Sequence, residues 1–439
     1  NGRIAEYEKE TGVSFSQTQR KAIRSAVEEG VLVITGGPGT GKTTIIRCIL
    51  SLLKEDNDIL LCAPTGRAAK RMSEATGEEA KTIHRLLEYG GDSGAFARSE
   101  DYPLECDCLI VDEMSMVDVT LMRGLMRAVL PGTRVILVGD ADQLPSVGAG
   151  NVLKDILDSD VVPSIRLTDI FRQDESSMIV LNAHRINHGE MPVLRSRDTD
   201  FFFTRKVLQS EAAQAICDLL RSRLPKYLGF PRKQWQAQAT RCIQVLTPTK
   251  KGDCGAANLN RLLQETLNPE RPGVDSLLHG ETEYRVGHKV IQTKNDYQIE
   301  YTRQTPFGPE EGQGVFNGDV GYIERIDPAE HMMTVLFDDD RVVTYQKQQL
   351  DALDLAYSLT VHKSQGSEFP VVVMPVVGGP PMLMARNLLY TALTRARQLV
   401  VLVGREEVIQ QMVENDHVAK RYTTLKDRLL AAAQLGPEA

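Results

Sequence analysis

Short apolar runs alternate with longer amphipathic stretches over the first third of the chain. Residues 1–25 are polar with a helical rhythm and lead into the first run. From Val31 the pattern becomes strand, loop, helix, repeated. β-Rich runs occupy 31–35, 59–63, 108–112 and 134–139, and amphipathic stretches near 44–54, 65–76 and 118–129 separate them. That alternation predicts a parallel sheet flanked by helices. A second block repeats it, with strands predicted at 243–248, 371–377 and 399–404 and helices at 256–267 and 383–393. Two stretches break the rhythm. Residues 88–105 are too long and glycine-rich for a simple connection, which predicts a small insertion, a hairpin. Residues 285–350 alternate apolar and polar positions around Asn317-Gly318 and Asp338-Asp339-Asp340, which predicts an antiparallel insertion, a small barrel. Within it, 298–316 reads as a mobile loop.

The turn after the first apolar run carries the strongest chemistry. Residues 36–44 read GGPGTGKTT, and Gly36, Gly41, Lys42 and Thr43 satisfy the pattern G-x-x-x-x-G-K-S/T. Glycines let the backbone N–H groups of Gly37, Pro38's neighbours, Gly39, Thr40 and Gly41 turn inward around a phosphate. Lys42 can reach the outer phosphates, and the Thr43 hydroxyl can ligate Mg²⁺. The helix opening at Thr44 points its positive end at the same anion.

Two further strand ends fit this site. The run 109–112 ends in Asp112-Glu113, at the carboxyl edge of the predicted sheet. Asp112 can hold Mg²⁺ through water, and Glu113 can act as general base on the attacking water. The run 134–139 is followed by Asp140 and Gln143, and a glutamine here can touch the γ-phosphate or its water. Downstream, Arg172 and Arg395 stand out. Arg395 lies beyond a whole second domain, so it would reach a γ-phosphate only across a domain interface, as an arginine finger worth roughly 10³–10⁵ in rate does. Arg397 is two residues away and could be mistaken for it; the alternative for either is a surface ion pair.

Composition narrows the class. At 439 residues, two to four domains are expected. Hydrophobic content of 42% and charged content of 25% are those of a soluble globular protein. No apolar run approaches the roughly 18 residues of a membrane helix. The chain opens on Asn1 rather than Met, which leaves room for a segment ahead of it. Seven scattered cysteines make no paired spacings, so zinc is not expected and a reducing, cytoplasmic setting is. A net charge of −8 argues mildly against nucleic acid, but a translocating motor needs only a local basic track. Arg67, Lys70 and Arg71 form one basic cluster; those at Arg221, Arg223 and Lys226 and at Arg232 and Lys233 read as solvated helix faces.

The ordered series GGPGTGKTT, CAPTGRAAKRM (62–72), TIHRLLEY (82–89), VDEMSMVD (111–118), VGDADQLPSVGAG (138–150), IFRQ (170–173), YSLTVHKSQGSEF (357–369) and LLYTALTRAR (388–397) resembles a superfamily-one DNA helicase of the RecD-like, 5′→3′ branch. The resemblance covers nearly the whole chain. It implies an α/β fold: two RecA-like P-loop domains with parallel sheets, plus a small hairpin insertion and an SH3-like β-barrel insertion. The expected boundaries are a helical lead-in at 1–30, a first RecA-like domain at 31–190 with its pin at 88–105, a second at 191–284 and 351–439, and the SH3-like insertion at 285–350.

The same resemblance implies ATP between the two domains, Mg²⁺, and single-stranded DNA and its duplex junctions as partners, for a monomeric motor with no membrane partner. Gln19 would read adenine, or be a helix-start glutamine. Pro64, Thr65, Gly66 and Arg67 would touch the DNA backbone, and phosphate binding suits hydroxyl and N–H groups at a helix start. Thr82 and His84 match the next DNA element, although a lone histidine is commonly packing. Thr360, His362, Lys363, Ser364 and Gln365 would link DNA to nucleotide, with Gly366 and Glu368 at the ATP edge. Tyr390 either couples the sites or is core. Phe96 is a candidate wedge in the pin. The rivals are an RNA helicase of the same superfamily and a protein-remodelling P-loop ATPase. Intact Lys42, Asp112, Glu113 and Arg395 argue against a non-catalytic scaffold.

Overall fold

The run from Val31 becomes an inner strand of a parallel sheet, with successive side chains feeding two different cores. Residues 2–90, 95–169, 176–195, 199–305, 308–417 and 421–435 are described by the computed structural model. They divide into two units, Asn1–Val180 with Val418–Ala439, and Leu181–His417.

In the first unit, α1 (Gly2–Thr11) and α2 (Gln17–Glu28) precede β1 (Val31–Gly36), α3 (Lys42–Leu53), β2 (Ile59–Ala63), α4 (Gly66–Thr76), β3 (Ala80–Thr82) and α5 (Ile83–Leu86). A two-stranded hairpin, β4 (Tyr89–Gly90) and β5 (Ala95–Phe96), follows. Then come β6 (Cys108–Val111), α6 (Val119–Ala128), β7 (Arg134–Gly139), α7 (Val152–Ser159) and β8 (Ser164–Leu167). The main sheet runs β3-β2-β6-β7-β1-β8, all parallel. Side-chain alternation sorts it cleanly. Leu32, Ile34, Ile110, Ile136 and Val138 face the core under α1 to α3. Val33, Leu109, Val111, Val135 and Leu137 face the core under α5 to α7. Helices thus cover both faces, as a parallel sheet requires.

Residues 1–30 are more than a lead-in. Ile4, Phe15, Ala22, Ile23 and Ala26 are buried in the same core as β1 and α3. Ser16 opens α2 with a capping box closed by Gln19.

In the second unit, α8 (Met178–Asn187) carries the chain across the boundary to β9 (Phe201–Arg205), α9 (Gln209–Asp218), α10 (Leu224–Tyr227), α11 (Trp235–Cys242), β10 (Ile243–Thr247) and α12 (Ala256–Leu267). The small hairpin β11 (Ser276–His279) and β12 (Thr282–Arg285) precedes β13 (Lys289–Gln292), β14 (Asp296–Thr305), β15 (Gly308–Val315), β16 (Val320–Asp327), β17 (Met332–Phe337), β18 (Arg341–Tyr345) and β19 (Leu353–Leu355). These seven form an antiparallel sheet in the order β15-β14-β18-β17-β16-β13-β19 around its own core of Val290, Ile323, Val335, Val343 and Tyr345. The chain then returns through β20 (Ser358–Thr360), β21 (Phe369–Val376), α13 (Arg386–Thr394), β22 (Ala396–Gly404) and α14 (Glu406–Glu414). The second parallel sheet is β20-β10-β21-β22-β9.

Two expectations are corrected here. Residues 298–305 and 308–315 are strands, not a loop: β14 and β15 pair as a ribbon through Tyr301↔Gly312, Thr302↔Glu311 and Arg303↔Glu310. Its polar composition is that of a two-stranded ribbon facing water, and the Tyr301 ring lies across Gly312, where a Cβ would stand 2.5 Å from the hydroxyl. The described C-terminal stretch 421–435 belongs to the first unit, not the second. Its helix α15 (Leu425–Leu435) sets Leu425 and Leu429 on the core that contains Val152, Leu153 and Ile156. Arg421 Nη1 donates to the carbonyls of Gly148 and Gly150, both at 2.7 Å. Among the described residues no helix is long and apolar enough to cross a membrane.

Candidate nucleotide and DNA site

The phosphate loop, Thr65, Thr82, Asp112-Glu113 and Gln143 follow the carboxyl ends of β1, β2, β3, β6 and β7. The loop after β1 is shaped by close contacts. A Cβ on Gly36 would meet Thr40 Oγ1 at 2.7 Å and Leu167 at 2.9 Å, and Gly39 and Gly41 take positive φ of 71° and 79°. Thr40, fully buried, donates from Oγ1 to the Gly37 carbonyl at 2.8 Å. Lys42 Nζ donates to the carbonyls of Gly36 at 2.6 Å and Gly37 at 2.9 Å, so the loop supplies its own counter-dipoles for the ammonium. Thr43 is exposed and Thr44 half-buried at the start of α3, and Pro38 in the loop ahead of it is half-buried.

Gln19 reaches this loop. Its Nε2 donates to the Thr40 carbonyl at 3.0 Å, and its Oε1 accepts from Ser16 N at 2.9 Å. A carboxamide has two donors and two lone pairs, so one of each remains beyond these bonds. Adenine offers a complementary donor and acceptor.

Asp112 follows β6, and its Oδ1 accepts from Glu113 N at 2.8 Å. Burial, then the Glu113 charge, raises its carboxyl above the usual carboxylate range, while the Glu113 N–H, Arg71 and Lys42 oppose the rise. Thr43 and Asp112 are hard oxygen donors, which fits Mg²⁺, an ion that keeps most of its shell for water and phosphate. Glu113 has left-handed backbone (φ 54°, ψ 41°), and its Oε1 accepts from Arg71 Nη2 at 2.7 Å. The buried Asp140 orders the next loop: its Oδ2 accepts from Gln143 Nε2 at 3.0 Å and its Oδ1 from Asp142 N at 3.1 Å.

The DNA candidates of this unit are helix starts. Thr65 caps α4, its Oγ1 accepting from Ala68 N at 3.3 Å, with Pro64, Gly66 and Arg67 half-buried around it. Thr82 caps α5 by accepting from Arg85 N at 3.1 Å. His84 packs. Its ring is 5.7 Å from Tyr89 and 5.9 Å from Phe96, and desolvation lowers its pKa against the opposing Asp118 charge. Phe96 differs from the wedge expected of it. Its ring lies on Gly124 of α6, where a Cβ would stand 2.6 Å away, and it anchors the hairpin base to the core. The hairpin tip, 91–94, and Arg172 lie outside the described residues.

In the second unit, Thr360 ends β20 at a carboxyl edge, while Glu368 and Arg395 immediately precede β21 and β22 at the amino edge of the same sheet. Residues 361–368 therefore carry the chain from one edge to the other. A 3₁₀ turn holds His362, Lys363 and Ser364; Ser364 Oγ donates to the Val361 carbonyl at 2.7 Å, and Lys363 Nζ lies 3.6 Å from Asp354. Gln365 is buried, and Gly366 has φ 71°. Arg395, only 2% exposed, donates from Nη1 to the Ser367 carbonyl at 3.3 Å. Arg397 forms the exposed ion pair, with Glu368 at 2.6 Å. Tyr390 is core. Sequence reasoning missed Arg421 and the pairing of Arg71 with Glu113 and of Asp140 with Gln143, although Arg71 stood in a basic cluster and Asp140 at a strand end.

Residues 19–149 match the family description "AAA domain", 259–337 match "ATP-dependent RecD-like DNA helicase SH3 domain", and 355–403 match "UvrD-like helicase C-terminal domain". The chain is 32% identical to the RecBCD enzyme subunit RecD of Mycolicibacterium smegmatis, across 98% of this chain and 78% of that protein. It belongs to the RecD-like superfamily-one helicases. This RecD-like chain is also 37% identical over 418 residues to the ATP-dependent RecD2 DNA helicase of Deinococcus radiodurans, covering 95% of itself but only 53% of that relative's length. Its fold is similar to that of Bacteroides Pif1 helicase solved with ADP-AlF3 and ssDNA (TM-score 0.51, 20% identity, 96% and 98% of the two chains). Pif1 helicase from Candida albicans is similar at TM-score 0.50 and 18% identity, over 96% and 99% of the two chains.

Proposed function

We propose that this chain is an ATP-driven translocase on single-stranded DNA, moving 5′→3′ and unwinding duplex ahead of it. The observation that carries the reading is the gathering on one sheet edge of a phosphate loop, the Asp112-Glu113 pair and the Gln143 loop beside two helix caps, Thr65 and Thr82. ATP is the substrate, and Thr43 and Asp112 would hold Mg²⁺, which when bound would neutralise phosphate charge. Gln19 offers its remaining donor and acceptor to adenine. Lys42 exchanges loop carbonyls for phosphate oxygens, Glu113 takes the proton of the attacking water, and Gln143 responds to the γ-phosphate. Arg395 and Arg172 add positive charge in the transfer. Gly366 and Glu368 serve the nucleotide, and Thr65 and Thr360 grip the DNA backbone in turn. Phosphate contacts carry no base code, so binding is sequence-independent and salt-sensitive.

The test is ATP turnover with and without single-stranded DNA, beside forked duplexes carrying a 5′ or a 3′ tail. Stimulation with unwinding from the 5′ tail alone is expected. Stimulation by RNA but not DNA would move the reading to an RNA helicase, and stimulation by neither would overturn it in favour of protein remodelling. Lys42→Ala is expected to abolish hydrolysis with DNA binding still measurable; retained turnover refutes the phosphate assignment.

A further inference from the structure

We propose that Arg71 is a positioning residue that withholds Glu113 from hydrolysis until DNA engages the start of α4. This rests on the readings of Glu113 as general base and of Thr65, Gly66 and Arg67 as a DNA contact.

The pair is short and sheltered. Arg71 Nη2 stands 2.7 Å from Glu113 Oε1, and the two side chains are only 19% and 13% exposed. A carboxylate oxygen that accepts a charge-assisted bond from a guanidinium is occupied and held in one direction. That contact turns it away from an attacking water. Solvent cannot easily loosen a pair this sheltered, so release requires one of its two supports to move.

Both supports are suited to movement. Arg71 rides on α4, an 11-residue helix whose N-cap, Thr65, is at the candidate DNA contact. A helix of this length moves as a rigid element, so a phosphate drawn to its positive end acts on Arg71 as well. Glu113 rests in left-handed backbone, a conformation that non-glycine residues hold only under constraint from their surroundings. Release of its carboxylate therefore removes one of those constraints. The neighbouring bond from Glu113 N to Asp112 ties the same backbone to the candidate Mg²⁺ ligand. DNA contact and base activation thus share one ion pair between α4 and the end of β6.

The experiment measures steady-state turnover of Mg·ATP by the full chain, with and without saturating oligo(dT), for the parent, Arg71→Gln and Arg71→Lys. Arg71→Gln is expected to raise DNA-free turnover about tenfold and to leave the DNA-saturated rate within about twofold, so stimulation falls about tenfold. Arg71→Lys keeps a cation on Glu113 and is expected to keep stimulation within about threefold of the parent. Oligo(dT) anisotropy and circular dichroism report an intact α4; Arg71→Met replaces Arg71→Gln if the latter does not fold. DNA-free turnover that fails to rise, or a fall in both rates with unchanged DNA affinity, overturns the proposal. Glu113→Gln separates the underlying readings. If it turns over normally with DNA, Glu113 is not the base; if the parent is not stimulated by oligo(dT), the DNA reading has failed instead.

Discussion

His288 makes the stability of the second unit depend on pH in a calculable way. The residue is completely buried before β13, with its ring edge-on to Tyr357 at 6.0 Å. Its Nδ1 accepts from Arg285 N at 3.1 Å, which assigns the neutral ring's proton to Nε2. Protonating Nδ1 would turn that acceptor into a donor facing a donor. Burial first, and the Arg285 charge second, push the pKa from 6.5 to about 4, with the Asn268 backbone and Glu283 opposing. The sign follows from which state takes the proton. Above pH 6.5 neither folded nor unfolded chain is protonated there, and the group contributes nothing. As pH falls from 6.5 towards 4, the unfolded chain binds a proton that the folded chain refuses, and stability is lost. The whole shift corresponds to about 3 kcal/mol, of which about 2 kcal/mol is lost between pH 7 and pH 5. Trp235, the only tryptophan, lies in α11 of the same unit, so its fluorescence reports this unit's unfolding in urea. His288→Asn keeps an acceptor near Nδ1 and removes the titration. The parent should lose about 2 kcal/mol more than this variant between pH 7 and pH 5. Equal losses in the two proteins would refute the reasoning.

Phe96→Ala should loosen the hairpin base by about 1–2 kcal/mol through its lost ring contacts. It is expected to slow forked-duplex unwinding about tenfold while DNA-stimulated ATP turnover stays within about twofold; parallel loss of both would assign Phe96 to the motor. Gly148→Ala would set a Cβ 2.0 Å from Asp118 Oδ2, whose partner oxygen caps α6. Urea unfolding should show a loss of about 2–4 kcal/mol, against no change for Gly30→Ala, where the space is open. Arg421→Ala removes two charge-assisted bonds, so amide exchange in 146–150 and 425–435 should quicken by a factor corresponding to about 2 kcal/mol. Unchanged exchange would mean that α15 holds through Leu425 and Leu429 alone.

Much of the fold was legible because the apolar runs of the two parallel sheets are continuous and bounded by turn residues. β2 and β7 fall on the predicted bounds, and α12 does too. The edge strands β8 and β9 were not anticipated. β8 has four residues with only Ile165 and Leu167 buried, too few for a period to emerge. The ribbon β14–β15 read as a loop because both faces of its outer part are polar, and pairing between strands leaves no trace in hydrophobicity. The loop of residues 36–44 was marked as a candidate phosphate site because its glycines, Lys42 and Thr43 are contiguous. Arg71 and Glu113 are 42 positions apart, and only the adjacency of β2 and β6 brings α4 to the acidic pair. For His84 and Phe96 packing and a DNA role stayed open, because an aromatic near a DNA motif looks the same in sequence whether it stacks on a base or on Tyr89.

The docking of α15 has a practical consequence for anyone labelling this molecule. Both ends of the described chain, α1 and α15, ride on the same body, and the second unit is a long excursion between them. A donor fluorophore near residue 2 and an acceptor near residue 435 would therefore both sit on the first unit, and the distance between them would be a reference ruler for that unit's integrity.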